Sequence, residues 1–121
     1  MDDYNELCRR IFTLNPDVRF AGVISSGGKL VAGGMREGLK PLEDELHEKR
    51  WFNQIAIRRE MRSMFDDLFG KVHFTFVERE KVKQLTLYVG NDIVVVSLGS
   101  EVSARDTVDI ASAILELIGT K

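Results

Sequence analysis

Residues Phe20 to Met35, FAGVISSGGKLVAGGM, decide the fold. Phe20-Ala21-Gly22-Val23-Ile24 is a short apolar run, and Leu30-Val31-Ala32-Gly33-Gly34-Met35 is a second one. Between them, Ser25-Ser26-Gly27-Gly28-Lys29 reverses the chain, because paired glycines supply positive φ without steric penalty. The stretch therefore reads as strand, tight turn, strand, with the first strand entering near Val18. Neither arm alternates polar with apolar. Runs of that kind are covered on both faces, so both arms are expected in the middle of a sheet.

Upstream, residues Asp3 to Leu14 predict a helix. Tyr4, Leu7, Cys8 and Ile11 recur at the spacing of one apolar face. Asp3 is its expected cap, with Glu6 three positions on, and Asn15-Pro16 ends it. Cys8 lies inside the apolar stripe and is expected to be a small buried hydrophobe rather than a reactive thiol. A lone cysteine forms no internal disulfide and no cysteine-based zinc site.

Downstream, Arg36 to Asp44 is a loop carrying Gly38 and Pro41, and Asp44 is a candidate cap for a long helix over Glu45 to Phe69, closed by Gly70. That helix carries two apolar stripes. Ile57, Met61, Met64 and Leu68 form one, enough to seat a surface helix on a sheet. Trp51, Ile55 and Phe69 form the other, flanked by Phe52 and shared with Arg58, Arg62 and Asp66. Aromatics mixed with arginines have the composition of a protein–protein patch; deeper burial in the chain's own core is the alternative.

Three strands follow. Lys71 to Val77 alternates cleanly, with Val72, Phe74 and Phe76 inward and Lys71, His73 and Thr75 opposite. Val82 to Val89 alternates too, with Leu85, Leu87 and Val89 inward. Gly90-Asn91-Asp92 turns the chain into Ile93 to Leu98, an unbroken apolar run expected to lie centrally beside Phe20 to Ile24. The last helix spans Ser103 to Ile118, capped by Ser103 with Asp106, its apolar face formed by Val108, Ala111, Leu115 and Ile118 with Ile114 beside it, and Gly119 just past its end.

The 121 residues are 44% hydrophobic and 30% charged, and no linker or repeat divides them, so one domain is expected over 1–121. A formal net charge of -2 argues against a general nucleic-acid binder. No apolar stretch approaches the roughly 20 residues that span a bilayer. MDDYNELCRR has no signal-peptide core, so the cytoplasm is the expected location.

No catalytic or cofactor motif can be assembled. Gly27-Gly28-Lys29 fails the phosphate-loop pattern, which needs glycine at Val23 and a hydroxyl at Leu30. Gly33-Gly34 completes no dinucleotide fingerprint and is expected to mark a bulge or a close backbone approach. His47 and His73 lack metal-ligand spacing. Glu43, Asp44, Glu45 and Glu48 favour a helix start. Arg58, Arg59 and Arg62 form a small basic cluster read as a solvated face, with Arg62 pairing Asp66 at i+4. No metal, cofactor or enzymatic activity is expected.

The element order α-β-β-α-β-β-β-α, and above all Ala21-Gly22-Val23-Ile24 followed by Leu30-Val31-Ala32, resembles the roadblock/dynein light chain superfamily, within the profilin-like group. The resemblance implies an α+β fold in which a five-stranded antiparallel sheet carries the middle helix on one face and the terminal helices on the other. It also implies a homodimer formed through the middle helix and the third strand. Here that interface would use Trp51, Phe52, Ile55, Arg58, Arg62, Phe69, His73 and Thr75. The bare edge of Lys71 to Val77 supports pairing independently, since a symmetry mate would satisfy its backbone groups. The loop Arg36 to Asp44 is longer and more charged than in compact relatives. Such relatives act as non-enzymatic scaffolds, often with a small Ras-like GTPase or a larger protein assembly. A PAS- or GAF-like small-ligand sensor is the alternative, distinguished by whether Phe74, Phe76, Met61 and Met64 fill the space between sheet and long helix or leave a void of roughly 300 Å³ or more.

Overall fold

A computed structural model describes residues 3–119. The first helix, α1, spans Tyr4–Leu14, capped by the Asp3 carboxylate, which accepts from the Glu6 N–H at 3.1 Å. A hairpin of β1 (Val18–Ile24) and β2 (Leu30–Met35) follows, then α2 (Glu45–Ser63) and a short α3 (Asp66–Phe69). The strands β3 (Phe74–Glu78), β4 (Val82–Val89) and β5 (Asp92–Gly99) lead to α4 (Ala104–Gly119). All pairings in the sheet are antiparallel, in the order β2-β1-β5-β4-β3.

Central placement of β1 and β5 follows from their unbroken apolar runs. Ala21 opposes Val96 and Val23 opposes Val94, and these side chains are fully buried. The β2 arm departs from expectation: it is an edge strand, with Leu30 and Val31 exposed. Its lack of alternation has another cause. A Cβ built on Gly33 would lie 2.2 Å from the Ala21 carbonyl oxygen and 2.8 Å from Cys8 Sγ, so α1 and β1 crowd this position and leave no room for a side chain there. Gly33 also holds φ +81, as the expected close backbone approach requires.

The two faces of the sheet bury separate cores. On one, Leu7, Cys8 and Ile11 of α1 meet Leu85, Leu87, Val94 and Val96 of the sheet and Ile110, Ala111 and Ile114 of α4. On the other, Phe52 of α2 covers Phe20, Ile24, Ile93 and Val95. The middle helix thus lies on one face and the terminal helices on the other.

Four boundaries or faces differ from expectation. β3 begins at Phe74, three residues later than the alternation at Lys71 suggests. In α4, Thr107, Ile110, Ala111 and Ile114 are buried while Val108 is 40% exposed. Thr107 donates its hydroxyl to the Ser103 carbonyl at 2.8 Å, so its polar atom is satisfied and the rest can be buried. The helix also runs through Gly119 rather than stopping before it. Fourth, the long helix breaks at Met64–Phe65. The Ser63 hydroxyl donates to the Glu60 carbonyl at 2.7 Å, a bond that bends helices, and no buried side chain beyond it holds the helix straight.

Burial pushes the Cys8 thiol up to about 11 from 9.0. A folded-state pKa raised for an acid leaves stability untouched below 9, and removes it as pH rises from 9 toward 11. Near pH 8 the thiolate fraction is about 100-fold below that of a free thiol. A disulfide reagent should therefore label native Cys8 at least that much more slowly than the unfolded chain. Equal rates would place the thiol in solvent.

Candidate functional site

The site is the α2 side of the molecule, and its geometry starts with how α2 is seated. The Asp44 carboxylate caps the helix, accepting from the His47 N–H at 2.8 Å and bonding the His47 ring Nδ1 at 2.8 Å. Those bonds hold the Asp44 carboxyl below the usual carboxylate range, so the cap is present at neutral pH and is lost as pH falls through that lowered value. Glu48 is shifted the other way, by its burial and then by the neighbouring Glu43.

Phe52 is the one fully buried side chain of α2 among the described residues, and α3 has none. Its ring lies 5.9 Å from Phe20 and 5.3 Å from Trp51. Farther along, Arg59 donates to the carbonyls of Gly90 at 2.7 Å and Asn91 at 2.6 Å, with its guanidinium 4.7 Å above the Tyr88 ring. The β1–β2 turn touches the helix at Asn53, through Gly28. The basic cluster thus divides: Arg59 is a structural latch onto the β4–β5 turn, while Arg58 and Arg62 make no ion pair among the described residues. The expected Arg62–Asp66 bridge is not formed, because the break at Met64–Phe65 lies between them.

This seating exchanges the two stripes. Trp51, Phe52 and Ile55 rest on the chain's own sheet. Ile57, Met61, Met64 and Leu68, the stripe expected against the sheet, face solvent, with Met64 78% and Leu68 73% exposed. Hydrophobic spacing identifies both stripes but not which one meets the sheet. The deciding signals are Arg59, which reaches back to the turn, and Phe20, whose ring needs aromatic partners overhead. Phe65 and Phe69 extend the exposed face, stacked on each other at 6.1 Å. Single exposed apolar residues are ordinary, but here the exposed apolar run continues over two helices.

On the Arg58 and Arg62 flank of α2 lies β3, an edge strand whose outer backbone groups have no strand partner among the described residues. Phe74 and Phe76 pack toward the α1/α4 core, whereas Thr75 is paired with Thr86 on the α2 side. The other edge, β2, is blunted by the left-handed backbone at Gly33, so β3 offers the more regular row of donors and acceptors.

A groove of about 400 Å³ opens between α2 and the sheet, at the start of the helix. Its floor is a cross-strand row: Phe20 opposes Met35 and Ser97, and Ser97 opposes Gln84. Trp51, Arg50 and His47 of α2 form one wall, and Leu42 and Glu43 of the long loop form another. Phe74, Phe76, Met61 and Met64 do not line it. A smaller hollow continues from it between Ile55, Arg58 and Arg62 of α2 and Thr75 and Thr86 of the sheet.

Of the residues expected at an interface, Phe52 is buried, Trp51 and Ile55 are half-buried on the sheet-facing side of α2, and Arg58, Phe69 and His73 are exposed; Arg62 and Thr75 are intermediate. Among the described residues, no helix is long and apolar enough to cross a membrane, and no three histidine, cysteine or carboxylate groups gather to hold a metal ion.

Comparison with solved structures finds the same architecture. A roadblock/LC7 domain from Streptomyces avermitilis superposes with a TM-score of 0.67 at 15% identity, over 98% of this chain and 97% of that one. Myxococcus xanthus MglB superposes with a TM-score of 0.64 at 13% identity, over 98% and 96% of the two chains. Schizosaccharomyces pombe profilin gives 0.67 at 12% identity, over 98% of each. The fold is therefore the roadblock, profilin-like one. A search of curated protein sequences finds no match. A family model described as a family of unknown function, DUF6659, matches residues 1–121, and the chain belongs to that family.

Proposed function

We propose that the chain is a non-enzymatic, homodimeric interaction module, a single roadblock-like domain over residues 1–121. The observation that carries this reading is the solvent-facing apolar run Ile57, Met61, Met64, Phe65, Leu68 and Phe69, together with the bare β3 edge. A second copy related by a two-fold axis would cover both at once, because the patch on each copy meets its own equivalent. Arg58, Arg62, Phe69, His73 and Thr75 then border the contact, and Trp51, Phe52 and Ile55 support it from beneath. Following the roadblock resemblance, a small Ras-like GTPase or a larger protein assembly is the proposed partner of the paired module.

Because Trp51 and Ile55 help seat α2, charging them would disturb folding as well as association. Met61→Glu combined with Leu68→Glu alters only exposed positions. The pair should leave the thermal transition of the monomer nearly unchanged while weakening self-association by about 100-fold or more, roughly 3 kcal/mol for two charges forced into an apolar contact. Sedimentation of both proteins checks this. Unchanged self-association would move the interface elsewhere.

A second reading, a ligand-binding domain, is favoured by the groove under α2, whose volume falls in the range of small-molecule sites and is left open by the side chains expected to fill it.

A further inference from the structure

We propose that the groove between the start of α2 and the sheet binds a small organic anion, a flat apolar body bearing a carboxylate or phosphate group. The proposal rests on the ligand-binding reading and gives it a chemical class. The groove is cationic: Arg19, Arg50 and Arg79 line it, against the single carboxylate of Glu43. Arg19 spends one donor on the Lys40 carbonyl at 3.1 Å, which ties the long loop over the groove. Arg50 and Arg79 make no ion pair among the described residues, and guanidinium groups match carboxylate and phosphate oxygens with paired donors.

The floor points the same way. β5 is apolar from Ile93 to Val96, yet Ser97 interrupts that run beneath the helix. Ser97 is 7% exposed and lines the groove, which puts a hydroxyl-bearing residue on its floor. Trp51, half-buried and held edge to face on Phe20 at 5.9 Å, supplies the apolar wall on which a flat body can stack.

The probe is anilinonaphthalene sulfonate, an aromatic anion, compared with phenylnaphthylamine, the same kind of body without the charge. Trp51 is the only tryptophan and lines the groove, so bound probe should quench its fluorescence. The sulfonate should bind one per chain. Arg50→Ala with Arg79→Ala, both surface positions, should weaken it by about tenfold or more and leave the neutral probe unaffected. Displacement by benzoate or by phenyl phosphate supports the proposal and tells which anion the site prefers. Equal binding of the charged and neutral probes, with no effect of the arginine substitutions, overturns the anion assignment alone. Failure of both probes to quench Trp51 overturns the ligand-binding reading with it.

Discussion

Replacing Gly33 by alanine is expected to destabilise the protein by about 3 kcal/mol or more, enough to leave a large fraction unfolded if the native margin is ordinary. Two effects add. The left-handed backbone at Gly33, φ +81, disfavours any L side chain by roughly 1–2 kcal/mol. The new methyl would also meet the Ala21 carbonyl oxygen at 2.2 Å and the Gly22 Cα at 2.7 Å, backbone atoms that cannot rotate away, so overpacking adds about 1–3 kcal/mol. Gly38→Ala separates the two contributions. Gly38 holds φ +87 with open space around it, so its substitution should lose only the backbone part, about 1 kcal/mol. Urea denaturation of both variants measures the difference. Equal losses would mean that the crowding between β1, β2 and α1 is absent.

Phe52→Ala should produce the second large loss, roughly 3–5 kcal/mol, and a localised one. Phe52 closes the smaller core against Phe20, Ile24, Ile93 and Val95, and α2 has no other fully buried side chain among the described residues. The larger core, on the opposite face, contains no residue of α2. Truncation should therefore undock α2 before the sheet opens. Hydrogen exchange should rise across Glu45–Ser63 while the amides of β1 and β5 stay protected. Uniform loss of protection over the whole sheet would show instead that the two cores melt together.

Much of this architecture was legible because its signals are local. Asp3, Asp44 and Ser103 sit at helix starts and each accepts the expected backbone N–H. The unbroken runs of β1 and β5 indicated a central pair, and the register joins them. The edge position of β2 was not legible. Small residues forced by a closely approaching helix have the same composition as a strand covered on both faces, and only the distance to Cys8 distinguishes them. The roles of the two stripes on α2 were hidden for a related reason. Periodicity marks which residues share a face, but the orientation of that face is fixed by tertiary partners such as Phe20 and the carbonyls of the β4–β5 turn. The groove could not be anticipated residue by residue either. Arg19, Arg50, Arg79 and Ser97 come from four separate segments and meet only in the fold.

The mass of the native chain in solution tests the central claim most directly, because that claim is that a second copy covers the apolar run from Ile57 to Phe69. Light scattering at micromolar concentration should give twice the 13.7 kDa of one chain. A mass of one chain, unchanged as concentration is raised, would contradict it.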